Sequence, residues 1–109
     1  MSLPVSIAGR AETDLAHQYR WYLDNAGVEV AERFLAAFDD TVARLAEQPK
    51  LGKRRRFRAR ELAGIRSFPA GSRFGVHLIF YRHERTALSI ERVMHGARDL
   101  PRRLLEPPG

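Results

Sequence analysis

The strongest constraint on the fold lies between residues 74 and 99, where two apolar runs are separated by a short polar segment. The runs, 74–82 and 87–94, contain most of the Val, Ile, Phe and Tyr of this region, and residues 83–86 between them are polar. This pattern is typical of a β-hairpin. We therefore predict an antiparallel pair of strands on which the rest of the chain is arranged.

The first strand of this hairpin is apolar on both faces. Alternation places Phe74 and Phe80 on one face and Ile79 and Tyr81 on the other. We expect this strand to lie centrally in its sheet, with cover on both sides. In the second strand Val93 is out of step with the alternation, which indicates either a β-bulge or burial on both faces.

The N-terminal half has the periodicity of helices. Apolar residues recur at three- and four-residue steps over 11–23 and again over 31–45. Residues 25–27, Asn-Ala-Gly, are predicted to end the first helix, and Pro49 lies beyond the end of the second. Because the connection is short, the two helices should form an antiparallel hairpin.

Shorter segments complete the predicted domain. Residues 3–7 and 63–69 are strand candidates, and a helix is expected from Asp99, as its N-cap, to residue 105. We predict one α+β domain over residues 1–109, with 107–109 as a tail. It has an N-terminal strand, an antiparallel two-helix hairpin packed on a three- to four-stranded antiparallel sheet, and a short C-terminal helix.

Positive charge is concentrated in one segment. The chain has 19 Lys and Arg against 13 Asp and Glu, a formal charge of +6, and seven of the cations fall within residues 50–60. Such a run resists burial, so it is either a solvated loop or a surface for phosphates or carboxylates. Phe57 is predicted to anchor it to the core. The charge favours an acidic partner: nucleic acid, an acidic protein or an anionic membrane.

Several classes of protein are disfavoured. The chain has no cysteine, so disulfides and thiolate metal sites are excluded, and its four histidines lack ligand spacing. No apolar run approaches the roughly 20 residues that span a bilayer, and no signal peptide is visible. We expect a soluble, intracellular protein without a cofactor or a metal.

An ordered set of short motifs resembles a known family. The motifs are LAEQPKLG at 45–52, GIR at 64–66, LIFYR at 78–82 and IERVMHGARDL at 90–100. Together they resemble the toxin component of type II toxin-antitoxin modules in the RelE/ParE superfamily, over residues 11 to about 105. The ordered set, including the terminal His-Gly-Ala-Arg-Asp, points to the ParE branch.

The resemblance implies a function and its partners. ParE-type toxins inhibit DNA gyrase without catalysis, act in the bacterial cytoplasm and are neutralised by a ParD-like antitoxin in a hetero-oligomer. We expect the antitoxin, acidic or amphipathic, to lay a helix on the helical hairpin and an extended segment along the sheet. Candidate residues for target or antitoxin binding are Lys53, Arg54, Arg55, Arg56, Arg58, Trp21 and Arg98.

RelE-type members of the superfamily cleave messenger RNA on the ribosome, which gives an alternative function. That reaction needs a base, an acid and cations near the phosphate. Here the candidates are Glu61, Arg66, His95 and Arg98. The RelE pattern also uses a C-terminal tyrosine, and this chain has none after Tyr81.

Non-catalytic interpretations also remain. His95 is a candidate structural histidine at a strand end, and Arg98 and Asp99 are candidates for a local pair and a helix cap. A third function is a basic module that binds nucleic acid without catalysis.

Overall fold

The computed structural model of the chain describes residues 2–96 and 100–108. Its five strands and three α-helices follow one another with a single turn of 3₁₀ helix, Arg60–Leu62, in the middle of the chain. In chain order, the strands and helices are β1 (Val5–Ile7), α1 (Gly9–Ala26), α2 (Val28–Glu47), β2 (Lys53–Arg54), β3 (Arg66–Pro69), β4 (His77–His83), β5 (Leu88–His95) and α3 (Leu100–Leu105).

The strands form one open sheet in the order β1-β5-β4-β3-β2. Four of them, β2 to β5, pair antiparallel, while β1 pairs parallel with β5 at the edge. The predicted α+β architecture is therefore confirmed, including the N-terminal strand, the helical hairpin and the hairpin of β4 and β5. The strand β4 is central in the sheet, as its apolar character on both faces predicted.

A single residue connects the two long helices. Gly27 has a φ of 95°, in the left-handed region that favours glycine, and its N–H donates to the carbonyl of Tyr22. The predicted end of the first helix at residues 25–27 is confirmed. Because the connection is so short, α1 and α2 lie side by side and cover the same face of the sheet.

The main core lies between this helical hairpin and the sheet. Aromatic and aliphatic side chains of α2 pack here against the inward faces of the two central strands. The buried members of this cluster are Ala11, Phe34, Phe38, Val42, Leu45, Ala70, Phe74, Ile79, Tyr81, Leu88, Ile90 and Val93.

A second, smaller core covers the opposite face of the sheet. Its buried members are Leu62, Ile65, Phe80, Met94 and Leu104. They come from the 3₁₀ turn and the residues after it, from the outward faces of β4 and β5, and from α3. The 3₁₀ segment and the C-terminal helix together supply the second cover that the two-sided pattern of β4 required.

The position of Phe74 corrects one prediction. The alternation of the first run placed Phe74 on the same face as Phe80, but Phe74 belongs to the helix-facing cluster with Ile79. The reason is that β4 begins only at His77, so residue 74 lies in a preceding turn, where strand alternation does not apply.

A β-bulge in β5 explains why Val93 is out of step with the alternation of its strand. Phe80 pairs with Arg92 whereas Tyr81 pairs with Ile90, so Glu91 is one extra residue in β5. The bulge lets both Ile90 and Val93 face the helices. Of the two explanations left open by the sequence, the bulge is the one that applies.

Beyond the end of β1, two side chains of α1 take the place of a neighbouring strand. Asp14 Oδ2 accepts a hydrogen bond from the Val93 N–H at 3.0 Å, and Gln18 Nε2 donates to the Val93 carbonyl at 2.6 Å. Because residues four apart share one face of a helix, these two side chains reach the donor and the acceptor of the same strand residue.

Asp14 also forms a buried ion pair with Arg92. The Arg92 Nε and Nη2 atoms donate to the two carboxylate oxygens at 2.8 and 3.0 Å, and both residues are more than 90% buried. The third guanidinium nitrogen, Nη1, donates to the carbonyls of Leu104 and Glu106 at 3.1 and 2.7 Å. One guanidinium therefore joins α1, β5 and the end of α3.

We expect Asp14→Ala to lower the free energy of unfolding by about 3 to 5 kcal/mol, because it leaves the Arg92 charge and the Val93 N–H buried without their partner. The measurement is urea denaturation. Asp24→Ala is a matched control in the same helix: its ion pair with Arg20 is exposed, so its loss should cost less than about 1 kcal/mol. Equal losses in the two variants would contradict the role assigned to Asp14.

Candidate functional site

The basic segment over residues 50–60 lies along the edge of the sheet. Lys53 and Arg54 form β2, the last strand of the sheet, and both are exposed. Arg56 and Arg58 are exposed as well, while Phe57 packs against the second core cluster. The predicted anchoring by Phe57 is confirmed. We call Lys53, Arg54, Arg56 and Arg58 the cationic edge.

Arg55 differs from its neighbours because it is partly buried. Its guanidinium lies 5.5 Å from the ring centroid of Phe57 and 5.9 Å from that of Phe80, and Nη1 donates to Ser67 Oγ at 3.2 Å. Such contacts of a cation with aromatic faces hold the side chain against the sheet. Arg55 therefore fixes the segment in place, and the cations on either side of it face the solvent.

Tyr81 fixes the beginning of the same segment. Its hydroxyl accepts a hydrogen bond from the Gly52 N–H and donates to the Pro49 carbonyl, both at 2.8 Å, and Arg66 Nη1 donates to the Gly52 carbonyl at 2.8 Å. Burial raises the pKa of Tyr81, against the opposing effects of the Gly52 hydrogen bond and the Arg66 charge. A Cβ at position 52 would lie 2.3 Å from the Tyr81 hydroxyl, so this contact requires glycine.

A pocket of about 430 Å³ opens beside Trp21, at the other end of β4 and β5. Trp21 lies off the core-facing stripe of α1 and is 60% exposed, as expected for a residue that is not part of the core. The pocket is lined by His17, Gln18, Trp21, Tyr22, Val76, His77 and His95. Aromatic, aliphatic and imidazole groups from α1 and from the hairpin thus meet at one surface.

His77 forms the floor of this pocket. It is 7% exposed, its Nε2 lies 2.8 Å from the Tyr22 hydroxyl, and its ring centroid is 5.8 Å from that of His95. Burial first, and the neighbouring His95 second, lower the pKa of His77 to about 4. Burial also raises the pKa of Tyr22. Both groups are therefore neutral at neutral pH.

Three candidate nuclease residues that the structure describes, Glu61, Arg66 and His95, are not brought together. Arg66 pairs with Tyr81 and His95 pairs with His77, on opposite sides of β4. Their backbones are therefore offset by about 13 Å along the strands and by two strand spacings, about 10 Å, across the sheet. Glu61 lines a different hollow, on the side of the sheet that α3 covers. Arg66 is also engaged with the backbone of the basic segment.

Two of the predicted site residues, Arg98 and Asp99, lie outside the described residues. The helix predicted to follow them is present as α3, from Leu100 to Leu105. His95 ends β5 and is exposed at the rim of the Trp21 pocket.

The sequence interpretation missed four residues that organise this surface: Asp14, Gln18, His77 and Arg92. A signal existed for the first two, because Asp14 and Gln18 fall on the core-facing side of α1 together with Ala11. A charged residue on an apolar helical stripe indicates a buried polar partner. For His77 and Arg92 the partners come from distant parts of the chain, so local patterns gave no indication.

Two further features concern the described residues as a whole. Within residues 2–96 and 100–108, no group of three or more His, Cys, Asp or Glu side chains is arranged to hold a metal ion. None of the helices described in this part of the chain has the length and apolar character needed to cross a membrane.

The fold places the chain in a known structural class. A protein chain described as "Chromosomal ParDE TA system from P. aeruginosa" matches it with a TM-score of 0.71 at 19% sequence identity. The match covers 88% of this chain and 98% of that chain. The two chains share the fold of a helical hairpin on an open, mostly antiparallel sheet.

The family follows from the sequence itself. Residues 5–100 match the family model described as "ParE toxin of type II toxin-antitoxin system, parDE". The match covers most of the domain, so the chain belongs to the ParE toxin family, and the predicted resemblance is confirmed. Comparison with curated proteins finds no match.

The lowered pKa of His77 predicts how stability depends on pH. Between pH 6.5, the ordinary pKa of histidine, and about 4, the unfolded chain binds a proton that the folded chain does not. The free energy of unfolding should therefore fall as the pH is lowered through this range, by roughly 3 kcal/mol at most. When the free energy of unfolding of His77→Gln is measured by urea denaturation at several pH values, this pH-dependent fall should be absent. His17→Gln, at an exposed position, should retain it; identical pH profiles for the two variants would contradict the assignment.

Proposed function

We propose that this toxin acts by binding and inhibiting DNA gyrase and that a ParD-like cognate antitoxin neutralises it. The observation that carries the proposal is membership of the ParE family over residues 5–100. It also rests on the ordered set of sequence motifs that resembles the ParE branch. The toxin then acts in the bacterial cytoplasm, free or in a hetero-oligomer with its antitoxin.

The positions of the polar residues support inhibition by binding over catalysis. Cleavage of RNA requires a base, an acid and a cation around one phosphate. Arg66 and His95 are offset by about 13 Å along the strands and by about 10 Å across the sheet. The backbone of Glu61 lies against Arg82 on the other side. In the described part of the chain, these groups do not surround one reacting atom, so the ribonuclease alternative receives no support from the geometry.

The cationic edge is the surface that we assign to target binding. Its four side chains are exposed, and Arg55 and Phe57 hold the backbone beneath them against the sheet. A fixed backbone lowers the entropy that is lost when the cations bind carboxylates or phosphates. The net charge of +6 adds long-range attraction to an acidic surface.

The antitoxin is assigned to a different part of the molecule. An amphipathic helix of the antitoxin packs on the helical hairpin, and an extended segment follows the sheet. The exposed Trp21 and Val28 provide apolar contact area on the hairpin. The P. aeruginosa chain of the same fold is described as part of a ParDE system, which supports a partner of the ParD type.

The proposed activity predicts a clear difference between two assays. Purified toxin should block the supercoiling of relaxed plasmid by gyrase, and it should leave messenger RNA intact in a reconstituted translation reaction, because it binds without catalysis. Addition of the antitoxin should restore supercoiling. Transcript cleavage at ribosome-positioned sites, with gyrase unaffected, would overturn the proposal in favour of the RelE-type activity.

The cationic edge can be tested by charge removal. The triple variant Lys53→Ala, Arg54→Ala and Arg56→Ala should weaken gyrase binding about 10- to 100-fold at low salt and flatten its dependence on salt concentration, since fewer charge contacts are screened. Affinity is measured by surface plasmon resonance across a salt series.

The matched control is Arg20→Ala, Arg85→Ala and Arg102→Ala. These three residues are exposed elsewhere on the molecule, and the net charge changes by the same amount. If the control triple weakens binding as much as the first, the effect comes from net charge, and the assignment of the cationic edge is wrong.

A further inference from the structure

The basic segment has a regular alternation that its net charge alone does not describe. From residue 54 to residue 60, exposed and partly buried side chains alternate at every position. The partly buried residues are Arg55, Phe57 and Ala59, and the last two pack against the second core. The exposed residues are all arginine: Arg54, Arg56, Arg58 and Arg60. We call these four residues the arginine row.

The alternation begins from an extended backbone at the edge of the sheet. β2 pairs antiparallel with β3, and the Arg55 N–H continues this pairing by donating to the Ile65 carbonyl at 3.0 Å. In an extended chain, successive side chains point to opposite faces, and neighbours on one face lie about 6.6 Å apart. The arginine row therefore faces the solvent at regular steps. A bend at residues 58–59 then leads into the 3₁₀ turn.

Contacts at both ends hold this backbone in place. Before the row, the Gly52 N–H donates to the Tyr81 hydroxyl at 2.8 Å. After the row, the Arg82 guanidinium donates to the carbonyls of Glu61 and Ala63. The backbone that carries the row is thus organised before any ligand binds, which reduces the entropy lost on binding.

The arginine row has no carboxylate to neutralise it. Residues 48–60 contain neither Asp nor Glu. Within residues 2–96 and 100–108, no ion pair involves any of the four guanidinium groups. Four like charges on one edge repel one another, so they favour a ligand that supplies several negative charges together.

We propose that the arginine row binds the phosphate backbone of duplex DNA, so that the toxin contacts the DNA held by gyrase as well as the enzyme itself. The inference deepens the proposed function and rests on it, because the choice of DNA follows from a target enzyme that acts on duplex DNA. The spacing of the arginines supports it, since phosphates recur along a nucleic acid strand at a similar interval. Each guanidinium can donate two hydrogen bonds to one phosphate.

Two other ligands match the row less well. Proteins that bind single strands present exposed aromatic rings on which the bases stack. Phe57 is the only aromatic residue of the segment 50–60, and it packs against the second core instead. An acidic protein presents carboxylates at irregular positions and does not require an arginine at every second residue. The backbone of a duplex matches both features, because its phosphates are regular and its bases are stacked inside.

The experiment measures DNA binding in the absence of gyrase, by fluorescence anisotropy of a labelled duplex of random sequence across a salt series. Phosphate contacts carry no sequence information, so a random sequence is sufficient. Four phosphate contacts predict that the logarithm of the binding constant falls with the logarithm of the salt concentration with a slope of about −3.6. The triple variant Arg54→Gln, Arg56→Gln and Arg58→Gln should bind at least about tenfold more weakly at low salt, with a slope of about −1.

The matched control is the triple variant Arg20→Gln, Arg33→Gln and Arg73→Gln. These arginines are exposed on α1, on α2 and in the segment before β4, and the control loses the same net charge. It should keep the wild-type slope. Equal losses in the two triple variants would assign the binding to net charge and overturn the inference. A wild-type protein that does not bind the duplex at low salt, or that binds a single strand more tightly, would also overturn it.

Failure of this inference is distinguishable from failure of the proposed function, because the supercoiling assay is a separate measurement. If the toxin blocks supercoiling but does not bind the duplex through the arginine row, the proposed function stands and the inference alone is overturned. If the row binds the duplex while gyrase is unaffected, the proposed function fails, and the proposed contact with gyrase-held DNA fails with it.

Discussion

The buried ion pair between Asp14 and Arg92 ties together α1, β5 and the end of α3. Removing two charges from water is costly, and a buried ion pair rarely adds much net stability. The pair acts here by holding elements in position, because Asp14 also binds the Val93 N–H and Arg92 also binds the carbonyls at the end of α3. The pair therefore fixes where α1 crosses the sheet and where α3 closes the second core. The bulge at Glu91 lies immediately before Arg92 in this arrangement.

Most of the fold could be predicted from the sequence because its elements are locally encoded. The two long helices have clear apolar periodicity, Gly27 marks the only residue between them, and the apolar runs of the hairpin are unmistakable. One error, at Phe74, and one undecided choice, at Val93, occurred where a local pattern has two physical meanings. Phe74 continued the alternation of β4 although it lies in a turn, and Val93 fitted either a bulge or two-sided burial until the register with Ile79 was known.

The candidate site was predictable only in part. A run of cations is visible in any sequence, but the different role of Arg55 depends on Phe57 and Phe80 beneath it, and the latter is 25 residues away. The pocket beside Trp21 joins α1 to residues more than 50 positions later in the chain. Spacing along a sequence carries no information about such contacts. The family resemblance was found because it depends on the order of motifs, which the sequence preserves.

The replacement of a strand by Asp14 and Gln18 has a consequence for the free protein. At Val93, side chains of α1 occupy both the N–H and the carbonyl on the outer edge of β5, so no other chain can pair with Val93 there. The outermost strands of the sheet are β1, with three residues, and β2, with two basic residues. Short and charged edges resist edge-to-edge association between sheets. The architecture therefore protects an isolated molecule against edge-to-edge aggregation.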